Sequence, residues 1–365
     1  MSGGSLRVGI IGAGVISKQY LTNLSSFPDV DVRAIGDLVV DAAASRAEEF
    51  GVAKYGDVDA VLGDPEIELV VNLTIPAAHA TVGEAVVGAG KHLWNEKPLT
   101  PDRESAARLL AAAEAAGVRV GSAPDTMLGR GWQGVRRAVE RGDIGTPLTA
   151  QVLFQSPGPN MWHPNPDFLF QSGGGPLLDI GPYYLTALSQ VLGPVSGVVS
   201  VGSKAFEQRP IGQGPRAGES FDVTVPTHVG ALLRYRDGAV AQTVFSFDSA
   251  VKRTVIEISG TEGTLIAPDP NQFAGEVKVL KMHETEPQVV DSSEGVPGRG
   301  TGVLDMARSI RAGVPHYASG EMGQHILDVM LAIEAGVDGS VQQITTSAEK
   351  PTLLPEDFDP TVATL

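Results

Sequence analysis

The feature of the sequence that most restricts its fold is a glycine-rich turn, Gly12-Ala13-Gly14-Val15-Ile16-Ser17, which separates an apolar run from a helical pattern. The surrounding chain alternates short apolar runs with Ala-rich amphipathic stretches; the runs lie at 6–11, 30–36, 68–75, 92–94 and 118–123. Strands that alternate with helices predict βαβ crossovers and a parallel sheet. We therefore predict that residues 1–125 form an α/β domain with a doubly wound parallel sheet.

The pattern changes after residue 125. A helix is predicted at about 127–141, a Pro- and Gly-rich loop at 157–176, and a second helix after that loop. Strand-type runs then follow one another without intervening helices, at 195–205, 221–235, 239–248, 253–259, 264–267 and 275–281. Such runs indicate antiparallel pairing. Residues 126–365 are therefore predicted to be an α+β domain with a large, mostly antiparallel, open sheet, closed by helices from about residue 300.

The glycine turn is a candidate phosphate-binding loop. Gly12 permits a tight strand-to-helix turn, and Gly14 allows a pyrophosphate to approach the backbone. The free N–H groups at the helix N-terminus, at Val15 and Ile16, favour an anion. Ser17 replaces the third glycine of the usual pattern. The alternative is a plain glycine turn without a ligand.

Asp37 follows the second predicted strand, 23 residues after Gly14. Rossmann-type dinucleotide sites place an acid at about this distance to accept hydrogen bonds from a ribose 2′-hydroxyl. The carboxylate would repel the 2′-phosphate of NADP, and no arginine follows before Arg46. The predicted cofactor is therefore NAD rather than NADP. The alternative is an acid at a solvated strand end.

Composition excludes several classes of function. The net charge is −16 at pH 7, which disfavours nucleic acid and anionic membranes as partners. There is no cysteine, no export-type leader and no apolar run of about 18 residues, so we expect a cytoplasmic protein. The seven histidines show no ligand spacing, so no catalytic metal is predicted.

Three further motifs, together with the glycine turn, resemble the glucose–fructose oxidoreductase / inositol dehydrogenase (Gfo/Idh/MocA) family. They are Glu96-Lys97-Pro98, the segment from Asn72 to His79, and Gly173-Gly174-Gly175 followed by Asp179-Ile180-Gly181-Pro182-Tyr183. The resemblance implies a Rossmann domain followed by an α/β domain whose open sheet often mediates dimers or tetramers. It also implies hydride transfer between nicotinamide and a carbinol or carbonyl carbon of a sugar, cyclitol or related polyol.

The resemblance assigns roles to individual residues. Lys97 resembles the catalytic lysine and Asp179 the buried acid of the site. Tyr183 stands where many members have a catalytic histidine; a subset that includes dimeric dihydrodiol dehydrogenases and glucose–fructose oxidoreductase has tyrosine there.

The strand ends supply the remaining cofactor candidates. The resemblance implies cofactor contact for Asn72 and Pro76, and Thr74 and Glu96 are further cofactor candidates on these segments. His79 lies on the same segment, and we read it as a histidine on a helix face in preference to a site residue.

The chemistry needs a proton acceptor near the reacting hydroxyl. Tyrosine and lysine have ordinary pKa values near 10 and 10.4, so either would need a decrease of roughly 2–3 units. Lys97 and Tyr183 together meet this need, and the sequence leaves open which of them accepts the proton. Asp179 is read either as the N-cap of a helix that begins near Ile180, or as catalytic support on a helix that begins near Pro176.

The loop before the glycine run is the predicted specificity element. Trp162 would stack on a sugar face, and His163 or Asn160 would bond its hydroxyls. Phe168 and Phe170 are read alternatively as anchors of the loop.

The sequence therefore predicts an NAD-dependent homodimeric or homotetrameric dehydrogenase or reductase of sugars or polyols. Two other functions stay open: a redox-neutral NAD-dependent glycosidase, and a non-catalytic sensor of dinucleotide or sugar.

Overall fold

The computed structural model describes residues 4–293 and 298–365, which divide into two compact units. The first unit holds 4–129, 298–327 and 351–365; the second holds 130–293 and 328–350. The strands are β1 (Leu6–Ile11), β2 (Val30–Gly36), β3 (Lys54–Gly56), β4 (Leu69–Asn72), β5 (His92–Asn95), β6 (Val120–Ser122), β7 (Pro147–Gln155), β8 (Val195–Ser203), β9 (Gln208–Pro210), β10 (Ser220–Asp222), β11 (His228–Tyr235), β12 (Val240–Ser246), β13 (Arg253–Gly260), β14 (Gly263–Ile266), β15 (Gly275–Lys281), β16 (Gln288–Ser293) and β17 (Asp338–Gln343). The helices are α1 (Val15–Leu24), α2 (Val40–Phe50), α3 (Val58–Leu62), α4 (His79–Gly88), α5 (Arg103–Ala116), α6 (Arg130–Glu140), α7 (Gly175–Leu192), α8 (Thr301–Ala312) and α9 (Gly320–Ala335).

The first unit is built on a parallel sheet. Six strands of the described chain lie in the order β3-β2-β1-β4-β5-β6, with every neighbouring pair parallel. β1 and β4 are almost entirely buried, as expected of strands that helices cover on both sides. The strand order reverses between β1 and β4, where open α/β sheets bind ligands beyond the carboxyl ends of the strands. The Rossmann-type prediction is confirmed, although the short β3 and α3 were not predicted.

Part of the C-terminal region lies in the first unit. Arg308 on α8 donates from Nε to Asp29 Oδ2 at 2.8 Å, and the backbone N–H of Thr364 donates to Asp29 Oδ1 at 3.0 Å. The predicted division placed everything after residue 125 in the second domain. The structure differs at 298–327 and 351–365 because hydrophobic periodicity identifies a helix but not the sheet against which that helix packs.

A carboxylate beside two arginines also holds α8 in the first unit. Glu68 accepts hydrogen bonds from Arg311 Nη1 and Nη2, both at 2.8 Å, and from Arg7 Nε at 3.2 Å. Although burial opposes ionisation, the hydrogen bonds from Arg311 and Arg7 lower the pKa of Glu68 to about 2. The ion pair therefore stabilises the fold fully above the ordinary pKa of this carboxyl group and is lost as pH falls through 2.

We expect Glu68→Gln to lower the free energy of unfolding by about 1–2 kcal/mol at pH 7, a value reduced for the partial exposure of the pair. Urea denaturation at pH 7 and at pH 3 measures this effect. The difference between variant and wild type should shrink at pH 3, and a difference independent of pH would contradict the assignment.

The second unit is built on a mixed sheet. Nine strands in residues 4–293 and 298–365 lie in the order β16-β15-β14-β13-β7-β12-β11-β8-β17; β7 and β12 are parallel, and the other neighbours are antiparallel. α6 packs against β15 and β16, and α7 packs against β7, β11 and β12. Alternate residues of β11 are buried, whereas Leu232 between them is 61% exposed. The predicted open, mostly antiparallel sheet is confirmed; its central strand β7 was not predicted.

α7 begins at Gly175, earlier than the start near Ile180 that was one of the two predictions. Gly174 is its N-cap, Pro176 lies in its first turn, and Pro182 lies inside the helix. Asp179 is therefore an interior residue of α7, and its reading as an N-cap is wrong. A proline removes one backbone donor, but nearly every residue of α7 is buried, and this packing carries the helix through Pro182. Neither α7 nor any other helix among the described residues is long and apolar enough to cross a membrane.

Candidate active site

The glycine turn between β1 and α1 has the shape of a phosphate-binding loop. Gly12 has φ +105° and donates its N–H to Gly36 O at 2.8 Å. A Cβ at Gly12 would lie 2.7 Å from the backbone C and O atoms of Leu73, so only glycine fits there. Nothing lies within 4 Å of a Cβ built on Gly14, the N-cap of α1, and Val15 is 88% exposed. The loop therefore presents open backbone at a helix N-terminus, which fits a pyrophosphate.

Asp37 lies beside this loop, at the carboxyl end of β2. Its Oδ2 accepts a hydrogen bond from the backbone N–H of Ala13 at 2.7 Å, and its Oδ1 accepts one from Val39 at 2.8 Å. The carboxylate thus lies at the position expected of a ribose-binding acid. Arg46 on α2, which the sequence analysis did not assign to the site, donates from Nη2 to Gly14 O at 3.4 Å. This contact was not predictable from the sequence, because Arg46 lies 32 residues after Gly14.

Asn72 ends β4 and organises the residues that follow it. Its side chain is fully buried; Nδ2 donates to Asn95 Oδ1 at 2.7 Å, and Oδ1 accepts from Thr74 Oγ1 at 2.7 Å. Asn72 therefore holds Thr74, which follows it at the edge of the sheet. Pro76 begins a short 3-10 turn that leads into α4.

His79, at the start of α4, joins two of the predicted segments. Its ring is 1% exposed; Nδ1 lies 2.6 Å from Pro98 O, and Nε2 lies 3.0 Å from Thr74 O. Burial lowers the pKa of His79. The ring therefore connects the end of the β4 segment to the Glu96-Lys97-Pro98 segment.

Lys97 follows the carboxyl end of β5, and the side chain of Glu96 fixes its backbone. Glu96 Oε2 accepts the backbone N–H of Lys97 at 2.9 Å, and Glu96 Oε1 accepts Tyr20 Oη–H at 2.8 Å. Trp94 Nε1 donates to Tyr20 Oη at 3.2 Å. Burial and the Glu96 carboxylate raise the pKa of Tyr20, so this phenol stays protonated and acts as a donor. Glu96 is thereby fixed on both oxygens, and it orients the backbone that carries Lys97.

α7, in the second unit, carries two further predicted site residues. Asp179 and Tyr183 are four residues apart on α7, so they share one face of the helix. Asp179 is half-buried and lines a cleft of about 380 Å³, and Tyr183 is 7% exposed. A cleft of this size holds a small molecule.

The loop of residues 161–175, called the aromatic loop below, forms another wall of this cleft. Trp162 is 62% exposed and lines the cleft, and its ring meets His163 edge-on at 5.7 Å between centroids. His163 Nδ1 accepts the backbone N–H of Asn165 at 3.0 Å. Phe170 is fully buried in a cluster with other aromatic rings, which agrees with its reading as an anchor of the loop.

Asn160 holds the loop from inside. It is 2% exposed; Nδ2 donates to Pro210 O at 3.0 Å, and Oδ1 accepts from Arg209 Nη1 at 3.3 Å. The Arg209 guanidinium also pairs with the Asp248 carboxylate, which accepts Thr227 Oγ1 at 2.6 Å. The amide of Asn160 therefore bonds groups of the fold itself and supports the loop, in place of the predicted hydrogen bond to a substrate hydroxyl. The sequence carried no signal for Arg209, because its partners are distant along the chain.

Known proteins match most of the chain. Residues 6–123 match the oxidoreductase family with an NAD-binding Rossmann fold, and residues 132–266 match the GFO/IDH/MocA C-terminal domain. The 1,5-anhydro-D-fructose reductase of Ensifer adhaerens is 27% identical over 71% of this chain and 75% of its own. The myo-inositol 2-dehydrogenase of Thermotoga maritima is 26% identical over 72% of this chain and 75% of its own.

Solved structures share the fold. The crystal structure of an NAD binding oxidoreductase from Klebsiella pneumoniae superposes with a TM-score of 0.82 at 24% identity, over 94% of this chain and 100% of that one. The two family matches together span more than half of the sequence. The chain therefore belongs to the GFO/IDH/MocA family of NAD-binding oxidoreductases.

Proposed function

We propose that this protein transfers a hydride between a nicotinamide cofactor and a carbinol or carbonyl carbon of a sugar, cyclitol or related polyol, with Lys97 and Tyr183 moving the proton. The observation that carries the proposal is the pair Asp179 and Tyr183, one helical turn apart on α7, with Asp179 in a cleft beside the exposed Trp162. Relatives named for a reductase of an anhydrosugar and a dehydrogenase of a cyclitol support the substrate class.

The chain's own groups have separate tasks. The nicotinamide, when bound, supplies the hydride acceptor or donor. The loop of Gly12 and Gly14 would hold the pyrophosphate of the dinucleotide, and Asp37 would accept hydrogen bonds from its ribose hydroxyls. In the oxidation direction the substrate hydroxyl loses its proton to Tyr183 or Lys97, while the other of these two polarises the same oxygen. Trp162 covers an apolar face of the sugar.

A screen of monosaccharides, cyclitols and anhydrosugars with NAD and with NADP tests the proposal at the nicotinamide absorbance. Net formation of NADH with at least one carbinol supports it. Cleavage of a glycoside without net NADH would instead support the redox-neutral reaction. Tight NAD binding without any turnover would support a sensor.

We further propose that Asp37 sets the preference for NAD. We expect Asp37→Ser to lower the ratio of kcat/KM for NAD to that for NADP by about 10-fold or more, because the repulsion of a 2′-phosphate is removed while the serine hydroxyl can still accept a hydrogen bond. Arg46, close to Gly14, adds a cation that would attract the phosphate. Asp41→Ser, at an exposed acid in the first turn of α2, is the control. An unchanged ratio would remove Asp37 from this role.

The proposed homo-oligomer uses the uncovered face of the nine-stranded sheet. Val201, Leu232 and Val341 on three adjacent strands are 61–64% exposed, and two of them line a shallow depression. Such a face favours a second copy of the chain. We expect Leu232→Glu to reduce the mass measured by light scattering to that of a smaller species, while Val314→Glu in the first unit leaves it unchanged. A monomeric wild-type protein would contradict the proposal.

A further inference from the structure

The cleft beside Asp179 carries two cations that the proposed chemistry does not use. Lys252 and Arg253, at the start of β13, are exposed side chains, and both line the cleft. Arg253 lies opposite Gln155 of β7, which lines the cleft as well. The cations are therefore on the sheet side of the cleft, and the aromatic loop with Trp162 forms another wall.

Neither cation is used elsewhere in the fold. Among residues 4–293 and 298–365, the side chains of Lys252 and Arg253 form no ion pair and no hydrogen bond. Other cations of the same unit are engaged: Arg216 pairs with Asp167, and Arg209 pairs with Asp248. The chain has a net charge of −16, so acidic partners outnumber the cations, and yet these two adjacent cations have none within the described part of the chain.

Nearby acids do not neutralise this pair. Asp248 follows Phe247, which lines the cleft, but its carboxylate is taken by Arg209 and by Thr227 Oγ1. Of the described residues that line the cleft, Asp179 is the one acid, against two cations. The local charge is therefore positive, opposite in sign to that of the whole chain.

We propose that Lys252 and Arg253 bind an anionic group on the substrate, so that the preferred substrate is a polyhydroxylated compound with a carboxylate or a phosphate ester. Arginine matches both groups with two parallel hydrogen bonds, and lysine adds a point charge. Trp162 would cover the carbon skeleton while the cations hold its charged end. This inference rests on the proposed function for its substrate site, and it names the substrate class of that site.

The test compares the kinetics of the protein with matched compounds at saturating NAD. D-Glucose, D-glucuronate and D-glucose 6-phosphate form one set, and D-galactose, D-galacturonate and D-galactose 6-phosphate form another. We expect at least one anionic compound to have a kcat/KM 10-fold or more above its neutral parent. The carboxylate and phosphate arms then identify which anion is recognised.

The double variant Lys252→Met/Arg253→Met should raise the KM for that anion by about 10–100-fold, the loss expected for hydrogen bonds to a charged group, and leave the KM of the neutral parent unchanged. Lys281→Met, at an exposed lysine at the end of β15, is the matched control. Raising the salt concentration from 50 to 500 mM should raise the KM for the anion in wild type and change it little in the double variant. If the double variant folds poorly, the single variants Lys252→Met and Arg253→Met replace it, and each should show a smaller salt effect than wild type.

Binding is also measured without chemistry. Trp94 and Trp132 are at most 1% exposed, so Trp162 is the tryptophan that a ligand in the cleft would quench, and Trp162→Phe verifies the source of the signal. Quenching by glucuronate or glucose 6-phosphate that disappears in the double variant supports the inference even if no hydride is transferred. The absence of hydride transfer would overturn the proposed function alone. Neutral sugars preferred over their anions, or a double variant with unchanged KM and quenching, would overturn the inference and leave the proposed function standing.

Discussion

Lys97→Met is expected to lower kcat with the best carbinol substrate by about 100-fold or more, while the Kd for NAD changes little. Methionine is close to lysine in length and cannot donate, accept or carry a proton. Glu96 Oε2 accepts a hydrogen bond from the backbone N–H of Lys97, and the variant keeps this N–H, so the segment should keep its shape. Lys18→Met, at an exposed lysine on α1, is the control for loss of a positive charge. Stopped-flow turnover and NAD titration by fluorescence measure the two quantities separately.

Tyr183→Phe tests the other proposed proton carrier, because it keeps the packed ring and removes the hydroxyl. We expect a fall in kcat of similar size and an unchanged Kd for NAD. The two variants together decide the roles: the residue that accepts the proton controls the acid limb of the pH profile, and its replacement should abolish that limb. Near-wild-type turnover in both variants would end the proton-relay assignment.

Gly12→Ala is expected to lower the free energy of unfolding by about 2–4 kcal/mol and to abolish measurable NAD binding. Alanine at φ +105° is strained, and its Cβ would lie 2.7 Å from the backbone of Leu73, which cannot move without displacing the residues after β4. Chemical denaturation of the protein without added cofactor measures the first effect, and NAD titration of the folded fraction measures the second.

Gly14→Ala separates the effect on cofactor binding from the effect on stability. Its φ of −68° suits any residue, and nothing lies within 4 Å of the added methyl group, so stability should change by less than about 1 kcal/mol. The Kd for NAD should nevertheless rise by about 10-fold or more, because the pyrophosphate must approach this backbone closely. A Gly14→Ala protein that binds NAD like wild type would show that the dinucleotide does not use this loop.

The first unit was predictable from the sequence because local signals agree there. The turn at Gly12 and the alternation of apolar runs with amphipathic stretches both predict the same parallel sheet, and β1 and β2 have the predicted bounds. The second unit was less predictable. β7 is central to its sheet and has turn residues on both sides, yet it was not predicted, because it follows a helix and α7 separates it along the chain from the other strands of its sheet. In α7, Pro182 favoured a later start, and tertiary packing overrode that local preference.

Within the site, the sequence identified segments better than the roles of single side chains. Asn72 and Asn160 lie at the predicted places, but both amides are buried and bonded inside the fold, which no pattern of residue types reveals. Arg46 contacts Gly14 across 32 residues, and Arg253 enters the cleft only because β13 pairs with β7. Contacts between distant segments depend on strand register and helix packing, and a single sequence does not encode these locally.

The transfer of label from substrate to cofactor tests the central claim most directly. The best substrate from the carbohydrate screen is prepared with deuterium on the reacting carbinol carbon and incubated with NAD and the wild-type protein, and the reduced cofactor is isolated for mass spectrometry. Hydride transfer predicts NADH that is heavier by one deuterium, with none gained from deuterated water. NADH without the label, or no reduced cofactor from any carbinol tested, would contradict the account.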